Sequence, residues 1–346
     1  MLKKKLLLSV VMSALLVTAA AGCGNSDGKK TESEGSGNQT EKKSYKIAIS
    51  QIVEHPSLDA TREGFLAALK DAGITEGDNL NVEYKNAQGD SANNLSIAQK
   101  FASDKDDLVL AIATPSAQAV VQQVKDKPIL FAAVTDPLDA KLVSDLDKPG
   151  GNVSGVSDTN PLAVQKLMDF VAKNFPNVKS VGLVINEGEP NAVVMSKNAE
   201  EALSKHNIKL VKAAVTNTSE VKQAAQSLVG RADAIFITLD NMVVSGVDTI
   251  IQVANENHIP FFSSDRDTVE KGAFATVGFK YYDHGYQVGQ MAVDILKNGK
   301  KPGDMKVTMQ EKLDLILNLK AAAAQGITVT DEMKNEVEDK EKNIIQ

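Results

Sequence analysis

The chain has 346 residues, 42% of them hydrophobic, a formal net charge of −7 and a single cysteine. An acidic chain without a basic run argues against nucleic-acid binding, and one cysteine excludes an internal disulfide. The length exceeds what one core usually supports and predicts two lobes.

Lys3, Lys4 and Lys5 precede an uncharged run, Leu6–Ala21, that stops at Gly22 and Cys23. A basic start, a short apolar stretch and small residues before a cut make a secretory signal, here residues 1–22. The run of 16 residues is short for a membrane span, which needs about 20. A lone cysteine on an exported chain calls for a role. Cys23 behind Ala20, Ala21 and Gly22 resembles a lipobox, although Ala20 stands where most lipoboxes carry Leu. Cys23 is therefore the expected lipid-attachment site, and two acyl chains suffice for a stable anchor. Residues 24–44 carry no apolar side chain and cannot offset their own ordering entropy. Residues 23–44 read as a flexible tether with a reach of roughly 25 Å. Loss of the three signal lysines takes the formal charge from −7 to about −10. No second long apolar stretch follows, so the body reads as soluble.

From Tyr45 the chain alternates strand-like and helix-like segments. Tyr45–Ser50 is a short apolar strand. Leu58–Ala72 has helical spacing through Ala60, Phe65, Leu66, Ala68 and Leu69, and Gly73 stops it. Leu80–Tyr84 alternates as a strand, and Ser91–Ser103 places Leu95, Ala98 and Phe101 on one helix face. Leu108–Ala113 is wholly apolar, as a parallel strand covered on both faces should be. Ser116–Val124 is a helix and Pro128–Phe131 a strand.

The rhythm then restarts. Strands are expected at Ser180–Ile185, Ile208–Ala213, Ala232–Thr238, Ile259–Phe262 and Ala273–Thr276. Helices are expected at Ala192–His206, Glu220–Leu228, Val247–Asn257, Tyr282–Lys297 and Leu315–Ala324, with a short strand at Lys306–Met309. Such alternation means α/β architecture with doubly wound parallel sheets, and two rounds of it mean two similar lobes. The Gly-rich stretch Pro149–Asp158 is a natural crossing point. The tail is too short for a third domain, so the chain is expected to cross three times and form a three-strand hinge. The expected division is 45–155 with 279–306 in lobe 1, and 156–278 with 307–346 in lobe 2.

Seven stretches carry a resemblance: EHPSLD at Glu54–Asp59, ATPSAQ at Ala113–Gln118, VTDP at Val134–Pro137, PGGNVSGVSD at Pro149–Asp158, LDN at Leu239–Asn241, FSSD at Phe262–Asp265 and GAFATVG at Gly272–Gly278. In this order and spacing they resemble the ABC-transporter substrate-binding lipoproteins, a family with tryptophan- and other aromatic-amino-acid-binding members. The likeness spans about residues 45–325. It implies a periplasmic-binding-protein type I fold, an importer with a permease and an ATPase as partners, and no catalysis. With the lipid anchor it places an exported monomer on the outer face of the cell membrane.

In open parallel sheets ligands bind beyond the carboxyl ends of the strands. The loops there supply the candidates His55, Thr114, Ser116, Thr135, Asp136, Asn186, Glu187, Glu189, Asn191, Asp240, Asn241 and Asp265. A helix start at Ser116 favours a carboxylate, with Thr114 and Ser116 hydroxyls as donors. Asp136, Glu187, Glu189, Asp240 and Asp265 are candidate partners of an ammonium. Together they fit an amino acid. Pro56 holds His55 extended, which aims it from the first strand end. Arg266 is the one arginine at a strand end, where a surface pair with Asp265 or Asp267 competes with a ligand carboxylate. Aromatic residues make up 4% of the chain with no tryptophan, which weighs against stacking on sugar rings. Tyr281 and Tyr282 lie at the second crossing.

Enzyme signatures fail. The loop after the first strand has no glycine, no nucleophile elbow occurs, and four spread histidines give no metal spacing. No cofactor or metal is expected. Two alternatives stay open: a binder of a nucleoside, sugar or peptide signal feeding a sensor kinase, and an exported α/β hydrolase.

Overall fold

Apolar runs of five or six residues bounded by polar strand ends build two sheets. The structure is a computed structural model that describes residues 43–346. The expected signal 1–22, Cys23 and the tether through residue 42 lie outside the described residues.

The first round comprises β1 (Tyr45–Gln51), α1 (Pro56–Asp71), β2 (Leu80–Asn86), α2 (Ser91–Ser103), β3 (Leu108–Ile112), α3 (Thr114–Gln123), β4 (Ile129–Val134) and β5 (Val153–Ser157). The second comprises α4 (Pro161–Asn174), β6 (Ser180–Ile185), α5 (Pro190–Ser204), β7 (Lys209–Ala214), α6 (Val221–Leu228), β8 (Ala234–Ile237), α7 (Asn241–Ser245), α8 (Val247–Asn257), β9 (Phe261–Ser263), α9 (Arg266–Lys271) and β10 (Ala275–Gly278). Then come α10 (Tyr281–Asn298), β11 (Thr308–Met309), β12 (Asp314–Asn318), α11 (Leu319–Ala324), α12 (Asp331–Asn335), α13 (Lys340–Asn343) and β13 (Ile344–Ile345).

The sheets run β2-β1-β3-β4-β5-β11 and β7-β6-β8-β9-β10-β12-β13. Each round thus repeats one doubly wound order, with its switch point beside the first strand of the round. β3, β4 and β5 are buried along their whole length, as strands covered by helices on both faces must be. Each sheet has an apolar cluster on either face. The chain passes between the lobes after β5, after β10 and between β11 and β12.

Four expectations change. Leu315–Ala324 is not one helix: its first half is β12, antiparallel to β10, and Asn318 caps the short α11 by accepting from the Ala321 N–H at 3.0 Å. The open edge of β10 offers a hydrogen-bond ladder that local spacing cannot foresee. A helix, α4, occupies Pro161–Asn174, a stretch for which the sequence reading expects no element; Asn160 caps it by accepting from the Leu162 N–H. β11 pairs with β5, so residues 307–309 extend the first sheet instead of opening the second lobe. Val156 and Ser157 likewise belong to β5, which moves the first crossing past the expected break at 155/156.

α10 returns to the first lobe and packs on α1 at backbone distance. Gly64, Gly285 and Gly289 allow this: a Cβ on Gly285 would run into the Thr61 carbonyl, and one on Gly289 would meet the Phe65 carbonyl. Gly285→Ala is expected to destabilise the protein by about 1–3 kcal/mol through overpacking. Chemical denaturation at constant slope checks it, and an unchanged midpoint contradicts the packing described.

Candidate ligand-binding cleft

The strand ends of both lobes face one cleft, and α1 enters it by its N-terminus. Pro56 occupies the first turn, His55 precedes it in an extended conformation, and no side chain caps the helix. The Ser57 and Leu58 N–H groups thus stand at the positive end of a 16-residue helix. Ser57 also reaches the other lobe, donating its hydroxyl to Asp265 Oδ1 at 3.1 Å. Asp265 caps α9 through the Thr268 N–H at 2.7 Å and accepts from Ser263 Oγ at 2.9 Å. His55 is buried, with the Asn241 side chain beside it; burial lowers its imidazole pKa, against the pull of Asp265. Asp267 Oδ2 is buried without a partner, and burial with the neighbouring Asp265 and Glu270 pushes that carboxyl up to about 7.

Asp158 lies at the first crossing, where β5 ends. Its carboxylate accepts from Tyr281 Oη at 3.0 Å and from Thr159 Oγ1 at 3.1 Å, and Thr135 faces it. Burial nevertheless pushes its pKa up to about 6, because desolvation outweighs these bonds. Burial, with the Asp158 charge next to it, raises the Tyr281 phenol well above its usual range.

Two cavities meet at Asp158 and Leu239. One is a polar niche lined by His55, Ser57, Asp158, Asn241, Asp265 and Tyr281. The other is an apolar chamber walled by Val164 and Leu167 of α4, Met195 of α5, Leu239, Val277 and Phe279. Both are drawn in tightly, with room of about 10 and 20 Å³, that of a single water. Asn241 also lines a wider opening between the lobes, with Ile52, Gln88 and Pro115 on one side and Asn186, Glu189 and Met242 on the other. Among the described residues, no group of three or more His, Cys, Asp or Glu is placed to hold a metal, and no helix is long and apolar enough to cross a membrane.

The structure sorts the sequence candidates. His55, Asn241 and Asp265 line the niche, and Thr135 borders it. Asn186 and Glu189 line the outer opening. The rest are turned to other tasks. Asp240 is corrected most: its carboxylate accepts from the Asn186 N–H at 2.5 Å and the Val243 N–H at 3.1 Å and lines none of these cavities. Burial and the adjacent Glu189 push its pKa well up. Glu189 is fully engaged, accepting from the Asn241 and Met242 N–H groups and from the Asn191 and Asn241 amides, so it anchors the start of α7. Asn191 also donates to the Leu239 carbonyl.

Ser116 is buried inside the first lobe and donates to Asn94 Oδ1, since α3 begins at Thr114 and not at Ser116. Thr114 is buried and lines none of the cavities. Asp136 folds back onto the Leu138 and Asp139 N–H groups, and Glu187 is exposed. Arg266 pairs with Glu270 and holds Asn343 and the Lys342 carbonyl, which ties down the C-terminal segment. Sequence reading missed Asp158, Ser57 and the chamber wall. Asp158 closes one of the seven resemblance stretches, but five other acidic residues stand at similar strand ends.

Residues 46–340 match the model of the family described as ABC transporter substrate binding protein. The chain belongs to that family. Its members bind solutes for transport outside the cytoplasmic membrane and are not enzymes. The chain is 41% identical over 332 residues to the tyrosine-binding protein of Clostridioides difficile (strain R20291), covering 95% of each. An ABC domain from Streptococcus pneumonia in complex with L-Trp is 32% identical with a TM-score of 0.81, covering 88% of this chain and 100% of that one. A ligand-free, open substrate-binding protein from Clostridium difficile is 42% identical but has a TM-score of 0.63, covering 87% and 98%.

Identity alone would rank those two structures the other way. This protein matches the structure of the L-Trp-bound relative more closely than that of the ligand-free, open one. The Ser57–Asp265 bond links the two lobes across the cleft. Ser57→Ala is expected to shift the ligand-free protein about tenfold towards the open form, as loss of a bond to a charged group allows. A larger radius of gyration in small-angle scattering is the signature, and an unchanged one removes Ser57 from closure.

Proposed function

We propose that the cleft captures an aromatic α-amino acid and that the protein delivers it to the permease of an ABC importer. One observation carries this: a buried carboxylate, Asp158, sits where a polar niche meets an apolar chamber. The ligand ammonium pairs with Asp158. The carboxylate meets the free N–H groups at the start of α1, where the helix dipole favours an anion. The ring enters the chamber between α4 and the end of β10, whose walls part to admit it. The relatives named for tyrosine and solved with L-Trp support this division of the cleft. Calorimetric titration of the full-length protein with tyrosine, tryptophan and phenylalanine tests it, with ribose and adenosine as controls; heat from the controls alone ends the reading.

The pH dependence follows from Asp158. With a pKa of about 6, it is ionised at neutral pH and protonated as pH falls through 6. Affinity is therefore expected to fall about tenfold per unit below pH 6, and Asp158→Asn should abolish both the dependence and most of the affinity. His55 and Asp267 titrate nearby, so the variant's profile isolates Asp158. The sign for stability is opposite. A carboxyl whose folded pKa is raised favours the folded state when protonated, so the ligand-free protein loses stability as pH rises from about 4 to 6. Asp158→Asn should accordingly raise the melting temperature of the free protein near neutral pH while losing ligand.

Cleavage after residue 22 and lipidation of Cys23 complete the proposal: the body hangs by residues 23–44 from the outer face of the membrane and acts as a monomer. The basic start, the apolar run and the lone cysteine support it. Cys23→Ser is expected to move the protein from the membrane fraction to the medium, read by immunoblot. Retention in the membrane fraction contradicts the anchor.

A further inference from the structure

Four polar residues line the apolar chamber: Asp158, Thr159, Asn160 and Ser264. Three of them already hydrogen-bond within the protein. Asp158 accepts from Tyr281 and Thr159, so the Thr159 hydroxyl is spent as well. Asn160 accepts from the Leu162 N–H at 3.1 Å and donates to the Gln310 carbonyl at 3.4 Å. Ser264 is different. Its Oγ is buried and has no partner. Its backbone is pinned at the end of β9, where the N–H donates to the Ile237 carbonyl at 3.1 Å, so the hydroxyl can only swing about its own side-chain bond. The chamber walls around it are aliphatic, thioether or phenyl. Met195 Sδ, the weak acceptor among them, already takes the Leu239 N–H.

A buried hydroxyl left unpaired is costly, and a wall meant to meet an apolar ring alone is better served by alanine. A site with such a group rejects a ligand that cannot pair with it far more strongly than an apolar wall rejects an added hydroxyl. We propose that Ser264 is the specificity residue of this cleft: its hydroxyl pairs with a hydrogen-bonding group on the ligand ring, a phenolic O–H or an indole N–H. This rests on the aromatic-amino-acid reading above and narrows it to rings with a polar edge, with phenylalanine disfavoured. The head-group contacts at Asp158 and α1 are common to all three amino acids, so they cannot supply this discrimination.

The test is a calorimetric comparison of L-tyrosine, L-tryptophan and L-phenylalanine on the full-length protein, its Ser264→Ala variant and its Ser264→Cys variant. The wild type should bind tyrosine or tryptophan at least about tenfold tighter than phenylalanine. In Ser264→Ala that ratio should fall to within about twofold, by loss of the polar-ring ligands with phenylalanine unchanged or improved. Ser264→Cys, of similar size and a weaker hydrogen-bonder, should lie between them, which separates pairing from packing. A ratio that survives Ser264→Ala overturns the assignment, as does a wild type that does not discriminate. Equal loss of all three ligands also overturns it, because the hydroxyl then serves the head group or the fold. If the wild type binds none of the three, the aromatic reading itself falls, and the specificity role with it.

Discussion

A carboxylate held away from water between two lobes is the constraint on which this molecule turns. Asp158 has two hydroxyl donors and still titrates near 6, so the closed protein holds a charge it does not fully compensate. In the proposed complex the ligand ammonium completes that environment. The same charge that weakens the empty closed state then strengthens the filled one. This is how a binding protein makes closure depend on its ligand: the contacts across the gap differ between the open and closed forms, and only that difference moves the equilibrium. Tyr281, at the start of the helix that follows the second crossing, holds Asp158 in place and so ties the charge to the hinge.

Local strain sits around the same cleft. Ala133 has φ of +53° and lines the polar niche, and Ala113, just before α3, has φ of +79°. Both are conformations that an alanine adopts only when its surroundings impose them. For Ala133 the cause is visible. Its N–H donates to His284 Nε2 at 2.9 Å on α10, a histidine kept neutral by burial, with its pKa pushed down to about 3. The bond pins the end of β4 to the helix that begins at the hinge. β4 shifts register against β5 at the same place. The niche wall is thus tied by a buried hydrogen bond to the helix that starts at the hinge.

Much of the architecture was legible because strands buried on both faces must be wholly apolar, as Leu108–Ile112 is, and because surface helices must repeat every three to four residues, as Ser91–Ser103 does. Where local pattern and long-range pairing disagreed, pairing won. Leu315–Leu317 reads well as a helix turn, but the free edge of β10 supplied a ladder and made it a strand. The site was less legible. His55, Asn241 and Asp265 stand out as strand-end polar residues and do line the niche, whereas Asp240, three positions past the end of β8 and next to Asn241, turns inward to backbone N–H groups.

The sequence by itself determined what local chemistry decides: two rounds of strand and helix, a crossing at the Gly-rich stretch, polar loops at the strand ends and a lone cysteine behind an apolar run. Only the tertiary structure decided which strand-end carboxylate faces the gap and which caps a helix, because that depends on rotamers and on N–H groups from segments about fifty residues away. It also decided that α4, Leu239 and Phe279 wall a chamber beside Asp158. Those residues lie 40 to about 120 positions apart, and their meeting follows from the tertiary fold and not from any spacing along the chain.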